Sequence, residues 1–193
     1  MKFTKTSTLP AVAAAVAKAL AKESIRAVLT GGACASLYTR GVYQSSDLDF
    51  VLQSVVPVAR LDAALATVGF RRRGNHYEHQ VVPFFVVFPA GPLGIGSDLG
   101  IRPVRRRVGP VSVTVLSATD SCRDRLAAFY HWQDRQSLAV AVGIAVRNPV
   151  DLKAIKRWSR AEGAAEGMNE FLAALAQARR RRRLRLGPRS RRT

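Results

Sequence analysis

Two short apolar runs and the stretch between them constrain the fold most. Residues 26–30 (RAVLT) end at Gly31-Gly32, and residues 47–53 (DLDFVLQ) follow after a gap of 14 residues, 33–46. Runs of this length and composition read as strands, and the glycine pair breaks the first. The gap reads as a helix over 33–39 and a loop over 40–46. Side chains alternate along a strand, so Asp47 and Asp49 point to one face while Leu48 and Phe50 point the other way, into the core.

The flanking sequence extends the same pattern. Residues 10–22 are Ala-rich and helix-forming, and Thr8-Leu9-Pro10 reads as their start. Val58, Leu61, Leu65 and Val68 recur at helical spacing, with Gly69 as the cap. Short strands are predicted at 70–73 and 77–79 around a turn at Gly74-Asn75, at 83–88 (PFFVVF) and at 111–116 (VSVTVL), with a loop over 89–100. Residues 118–145 and 149–178 read as two helical stretches, the second interrupted at 163–167. There is no internal repeat. The order predicts an α/β (α+β) fold, a small mixed β-sheet core with helices packed on it and a helical C-terminal region. The expected organisation is a core at 1–117, a helical region at 118–178 packed on that core, and an Arg-rich, disordered tail at 179–193.

At 193 residues and 48% hydrophobic, the chain is one domain, or one domain with a tail, and too apolar to be disordered throughout. Its outlying property is charge: 31 Lys+Arg against 13 Asp+Glu, a formal net +18. Such an excess points to phosphate-bearing partners. Half of it lies in the nine arginines from residue 179 onward, where there is no acid. Other clusters are Arg71, Arg72 and Arg73, and Arg102, Arg105, Arg106 and Arg107. Arg179, Arg180, Arg181, Arg182 and Arg183 read as a solvated helix extension, or as an arm for nonspecific nucleic-acid binding. Cys34 and Cys122 are too few for a multi-cysteine zinc site or a disulfide framework, and read as reduced thiols of a cytoplasmic protein. No run approaches the roughly 18 apolar residues of a membrane span, so no membrane partner is expected. Lys18 interrupts the apolar stretch at 11–20, which reads as a helix and not a signal peptide.

The chemistry is concentrated in Gly31-Gly32 and Asp47-Leu48-Asp49. Two carboxylates on one strand face can hold Mg²⁺, an oxygen-seeking ion, against the phosphates of a nucleotide. Glycines between a strand and a helix let backbone approach a phosphate, and a helix N-terminus offers free N–H groups. Ser46 is placed to hydrogen-bond a phosphate, and Arg40 in the loop to neutralise one. On spacing alone, two aspartates at an exposed strand start explain the pattern equally well without a metal.

Gly-Gly after a strand, then a short helix, then the pattern Ser-x-Asp-x-Asp-Phe (Ser45 to Phe50) resembles the nucleotidyltransferase superfamily with the DNA polymerase β-like fold, including bacterial minimal and AbiE-type toxin nucleotidyltransferases. The stretches FPAGPLGIG (88–96), DRLAAFYHWQDRQSL (124–138) and IKRWSRAEG (155–163) are similar to one small bacterial group described as nucleotidyltransferase-like. The resemblance covers roughly residues 20–175. It implies Mg²⁺-dependent transfer of NMP from an NTP to a hydroxyl on protein or RNA, with a toxin or antitoxin partner as a further implication. Asp47 and Asp49 would be the catalytic metal ligands, and Gly31, Gly32 and Ser46 would bind phosphate. The superfamily draws a third carboxylate from a neighbouring strand, and here the matching position is Val87. Glu78 and Asp98 are the nearby acids that could stand in as the third carboxylate, with Glu78 the candidate third metal ligand. The alternative implied by Val87 is a degenerate relative that binds nucleotide, nucleic acid or a partner protein without turnover.

Asp124, Arg125, His131 and Asp134 fall on one predicted helix, where three of them can share a face. They read either as a solvated face or as one side of a nucleotide site. Phe129, Tyr130, Trp132 and Trp158 read as packing residues, and His76 and His79 as surface residues of a hairpin.

Overall fold

The computed structural model describes residues 3–186. In chain order they form α1 (Leu9–Lys22), β1 (Ala27–Leu29), α2 (Gly31–Thr39), β2 (Asp47–Leu52), α3 (Val58–Ala66), β3 (Phe70–Arg73), β4 (His76–His79) and β5 (Phe85–Val87). These are followed by β6 (Val104–Val108), β7 (Val111–Val115), α4 (Ala118–Trp132), α5 (Arg135–Arg147), α6 (Leu152–Ala161) and α7 (Ala165–Leu186). The strands make one mixed sheet of order β3-β4-β5-β2-β1-β7-β6. The pairs β2–β5 and β1–β7 are parallel, and the others are antiparallel. The expected mixed α/β architecture is what the chain adopts.

β2 is central because its alternation suits a strand with different surroundings on its two sides. Leu48 and Phe50 are fully buried, while Asp47 and Asp49 remain half-buried on the opposite face. All nine residues of α2 are buried. Its small side chains, Gly31, Gly32, Ala33, Cys34, Ala35 and Ser36, let β2, α4 and α5 pack against it. The hydroxyls this buries are satisfied locally: Ser36 Oγ donates to the Gly32 carbonyl at 3.0 Å and Thr39 Oγ1 to that of Ala35 at 3.1 Å. Cys34 and Cys122 are free and buried. A single hydrophobic cluster runs from Phe3 ahead of α1 to Leu175 in α7, joining sheet and helices. Among the described residues no helix is long and apolar enough to cross a membrane.

Several elements differ from the sequence reading. Residues 104–108 (VRRRV) form an edge strand, β6, paired with β7 around Gly109 at φ +58°. Their arginines obscured the strand, yet charge on an edge strand is ordinary because it discourages further pairing. The helical stretch 118–145 is two helices. Gln133 adopts a left-handed conformation (φ 53°), and the Asp134 carboxylate caps α5 by accepting from the N–H groups of Gln136 (2.9 Å) and Ser137 (3.2 Å). Asp134 is therefore not on the helix of Asp124 and His131. The tail boundary at 179 is not a break in the helix: α7 continues through Arg179–Arg183 to Leu186, in keeping with the helix-extension reading of these arginines, and Arg179 donates to the Ala145 carbonyl at 3.4 Å. Residues 187–193, with the last three arginines, lie outside the described residues. His76 and His79 are half-buried. His79 packs against Phe3 and Phe70, with ring centroids 5.1 and 5.2 Å away.

Candidate functional site

The first turn of α2 and the start of β2 meet at a glycine. Gly31 has φ +62°, and a Cβ built on it would sit 2.1 Å from Oδ2 of Asp49. The Asp49 carboxylate thus lies directly over the head of α2. The two segments are held there by the Thr30 N–H donating to the Asp49 carbonyl at 2.9 Å. The N-cap residue Thr30 makes no side-chain capping bond, so the first N–H groups of α2 are left to other acceptors. Gly32 is equally constrained: a Cβ there would sit 2.6 Å from Ser45 Oγ and 3.0 Å from Tyr43 Oη. Tyr43 and Ser45 are residues to which the sequence reading gave no role. Their signal was the length of the loop that has to return over the glycine pair.

Asp47 lies two residues before Asp49 on the same face, and its Oδ1 accepts from Ser46 Oγ at 3.1 Å. Burial, then the neighbouring Asp47 and Asp124, push the Asp49 carboxyl up to about 6, against the opposing influence of Arg125. Asp124 and Arg125 are an adjacent, half-buried ion pair on α4, 2.8 Å apart. The structure therefore adds one acid and one base from α4 to the surroundings of Asp49.

The neighbouring strand β5 places an apolar residue beside Asp49. In the parallel pairing of β2 with β5, Asp47 is the register partner of Phe85 and Asp49 the partner of Val87. Beyond Val87, on β4, lies His76. Glu78, on β4, is two strands from β2, about 10 Å in sheet spacing, and its Oε1 accepts from His76 Nε2 at 2.8 Å, so it does not reach the aspartate pair as a third ligand. Asp98 is paired with Arg123, which holds its carboxyl below the usual range. Among the described residues no three His, Cys, Asp or Glu side chains are grouped as a metal site. Arg40 is also remote. It lies at the far end of α2, about 13 Å along the helix from Gly31, exposed and facing other grooves.

The three signature stretches of the sequence meet one another. Trp158 Nε1 donates to the Ile95 carbonyl at 3.1 Å, and Ser97 donates through its N–H and its Oγ to Glu162 at 2.8 and 2.6 Å. Arg123 bridges Asp98 and Asp120 and lies over the Trp158 ring, 5.0 Å from its centre. The loop 89–100 is thereby strapped to α4 and α6. Trp158 and Phe129 are buried packing residues, whereas Trp132 is exposed.

With this geometry in hand, solved structures provide the comparison. An antigenic nucleotidyltransferase-like protein from Paracoccidioides brasiliensis superposes with a TM-score of 0.60 at 17% identity, over 91% of this chain and 90% of that one. The fold is nucleotidyltransferase-like. The antibiotic-resistance factor ANT(2'')-Ia aligns over 86% of this chain and 94% of its own, at 12% identity and a TM-score of 0.47. No protein-family model matches the sequence, and no curated protein matches it. Within this nucleotidyltransferase-like fold, the head of α2, the paired aspartates of β2 and the α4 ion pair lie close together.

Proposed function

We propose that the chain binds a nucleoside triphosphate with Mg²⁺ at the head of α2 and transfers its nucleotidyl group to a hydroxyl on a protein or RNA. The observation that carries this reading is the contact between Gly31 and the Asp49 carboxylate, which places free helix N–H groups beside a same-face carboxylate pair. The donor set fits the ion: Asp47 and Asp49 supply hard oxygens on one face, and a nucleotide's own phosphates supply more. Asp47 and Asp49 would hold Mg²⁺, which supplies charge neutralisation to the phosphates and to departing pyrophosphate. Gly31, Gly32 and Ser46 receive phosphate oxygens through N–H and O–H groups. Arg125 keeps positive charge behind Asp49 and is held in orientation by Asp124. A toxin–antitoxin setting, implied by the sequence resemblance, belongs to the same reading.

A second reading is favoured by Val87. An apolar residue at the register position beside Asp49 leaves the pair without a third carboxylate from β5, which suits a protein that binds nucleotide without turning it over. One pair of measurements separates the two. NTP binding is followed by calorimetry with and without Mg²⁺, and pyrophosphate release is followed in the presence of cell extract as acceptor. Transfer predicts both signals in the wild type and the loss of both in Asp47→Asn and Asp49→Asn. Binding without turnover predicts only the calorimetric signal. Nucleotide binding unchanged in both variants sinks both readings.

A further inference from the structure

Two grooves on the side of the molecule away from Gly31 share one residue, Arg40. The first, of about 620 Å³, lies between the segment ahead of α1, the end of α2 and β6, and its cations are Lys5, Arg40, Arg106 and Arg107. The second, of about 710 Å³, lies between the end of α2, α5 and α7, and its cations are Arg40, Arg147, Arg181 and Arg182. Neither groove is lined by an aspartate or a glutamate.

These cations differ from the arginines held in ion pairs. Arg72, Arg123, Arg125 and Arg135 each have a carboxylate within ion-pairing distance. Among the described residues, none of the cations of the two grooves is in an ion pair. Several are instead fixed by neutral groups, which orient a guanidinium without cancelling its charge. Arg106 lies 4.5 Å from the centre of the Tyr38 ring and donates to the Leu37 carbonyl at 3.2 Å. Arg147 donates to the Gly143 carbonyl at 3.3 Å, and Arg182 to that of Val146. Thr8, the N-cap of α1, makes no side-chain capping bond and lines the first groove, so the positive end of that helix adds to the field.

We propose that the two grooves form one track, centred on Arg40, that binds the phosphodiester backbone of a nucleic acid. A row of oriented, unneutralised guanidinium groups in open grooves matches a chain of evenly spaced phosphates. Such binding gains affinity from released counterions and carries little base selectivity. The track includes the first part of the arginine-rich C-terminal segment but extends beyond it to β6 and to the segment before α1. It stands whether or not the head of α2 turns over nucleotide.

The test uses the full chain and fluorescence anisotropy with a short labelled single-stranded RNA and with the DNA of the same sequence, over a series of salt concentrations. Arg40→Ala is expected to weaken binding by roughly three- to tenfold. The exposed pair Arg107→Ala and Arg147→Ala, one from each groove, is expected to weaken it further and to make the salt dependence shallower by about 0.7 per lost phosphate contact on a single strand. Should Arg40→Ala fail to fold, the Arg107/Arg147 variant alone carries the test. Arg71→Ala with Arg73→Ala, in the basic cluster of β3, is expected to leave binding unchanged. Binding of either nucleic acid with this variant pattern supports the track, and the ratio of RNA to DNA affinity assigns the source. Equal losses from the β3 variant, undiminished binding by the track variants, or track-dependent binding to anionic phosphatidylglycerol vesicles in place of nucleic acid would overturn it.

Discussion

Asp49 and Val87 are register partners across the parallel pair β2–β5, so the apolar side chain occupies the same sheet face as the carboxylate and the strand position next to it. Replacing Val87 by glutamate therefore adds an acid beside Asp47 and Asp49 without altering strand order. Like charges opposite one another in a sheet are destabilising, by a fraction of a kcal/mol up to ~1 kcal/mol per pair. Val87→Glu is expected to melt below the wild type in metal-free buffer and to gain more from Mg²⁺ than the wild type does, since an ion that binds only the folded state raises its stability. Thermal melts with and without Mg²⁺ check this. A variant whose melting ignores Mg²⁺ would show that position 87 does not face a cation site.

Gly31 and Gly74 offer a matched comparison. Both have left-handed backbones, φ +62° and +61°, but a Cβ at Gly74 meets nothing within 4 Å while one at Gly31 meets the Asp49 carboxylate at 2.1 Å. Gly74→Ala is expected to cost about 1 kcal/mol, the conformational penalty alone. Gly31→Ala must in addition displace a half-buried carboxylate, and is expected to cost at least ~2 kcal/mol and to weaken nucleotide binding. Urea denaturation of the two variants checks the difference, and equal losses would mean that the contact with Asp49 is not what requires glycine at 31.

Asp49 also sets a pH dependence. Its carboxyl is raised from an ordinary value of 3.8 to about 6, so between these values the folded state binds more protons than the unfolded one. Stability therefore falls as pH rises through this window, and above it the ionised Asp49 costs the metal-free protein on the order of 3 kcal/mol. Asp49→Asn removes the charge and is expected to stabilise the metal-free protein near pH 7, with the gain disappearing as pH falls toward 4. Chemical denaturation at several pH values measures it. A constant difference between variant and wild type across the range would assign the effect to something other than this ionisation.

How much of this was legible in the sequence depends on the range of the interaction. The strand–glycine–helix–strand unit was readable because its signals are local: alternation places Asp47 and Asp49 on one face, and Gly31-Gly32 breaks the strand before them. The break at Gln133 was not readable, because Asp134 looks like a helix-face acid until its carboxylate is seen capping α5. Strand β6 was hidden because its three consecutive arginines lie on a sheet edge, where charge is tolerated. The neighbours of the glycine pair, Tyr43 and Ser45, come from the course of a loop that no periodicity describes. Arg40 was assigned to the nucleotide by its closeness in sequence, and a nine-residue helix carries it to the other end of α2.

Arg123 holds three separate parts of the chain together. Its side chain is buried, with only 9% exposed, between Asp120 one turn back on α4, Asp98 in the loop 89–100 and the face of Trp158 on α6. A methionine there fills much of the volume but leaves Asp98 and Asp120 without their cation, and loss of one partner from a buried pair typically costs about 3–5 kcal/mol. Asp98 is the more exposed acid, so solvent screening places the expected loss toward the lower end of that range. Lysine keeps the charge but cannot bridge two carboxylates in a plane while stacking on an indole, so Arg123→Lys is expected to fall between the wild type and Arg123→Met. Because Arg123 depresses the Asp98 carboxyl, the contribution of that pair is present above the ordinary aspartate range and lost as pH falls through the depressed value. Acid denaturation of Arg123→Met should accordingly lack the part of the wild-type transition due to Asp98. Limited proteolysis gives a second readout, since cleavage within residues 89–100 should accelerate before global unfolding once the strap is cut. Cleavage confined to other loops, or an unchanged acid transition, would show that the Ser97–Glu162 and Ile95–Trp158 bonds hold the loop without Arg123.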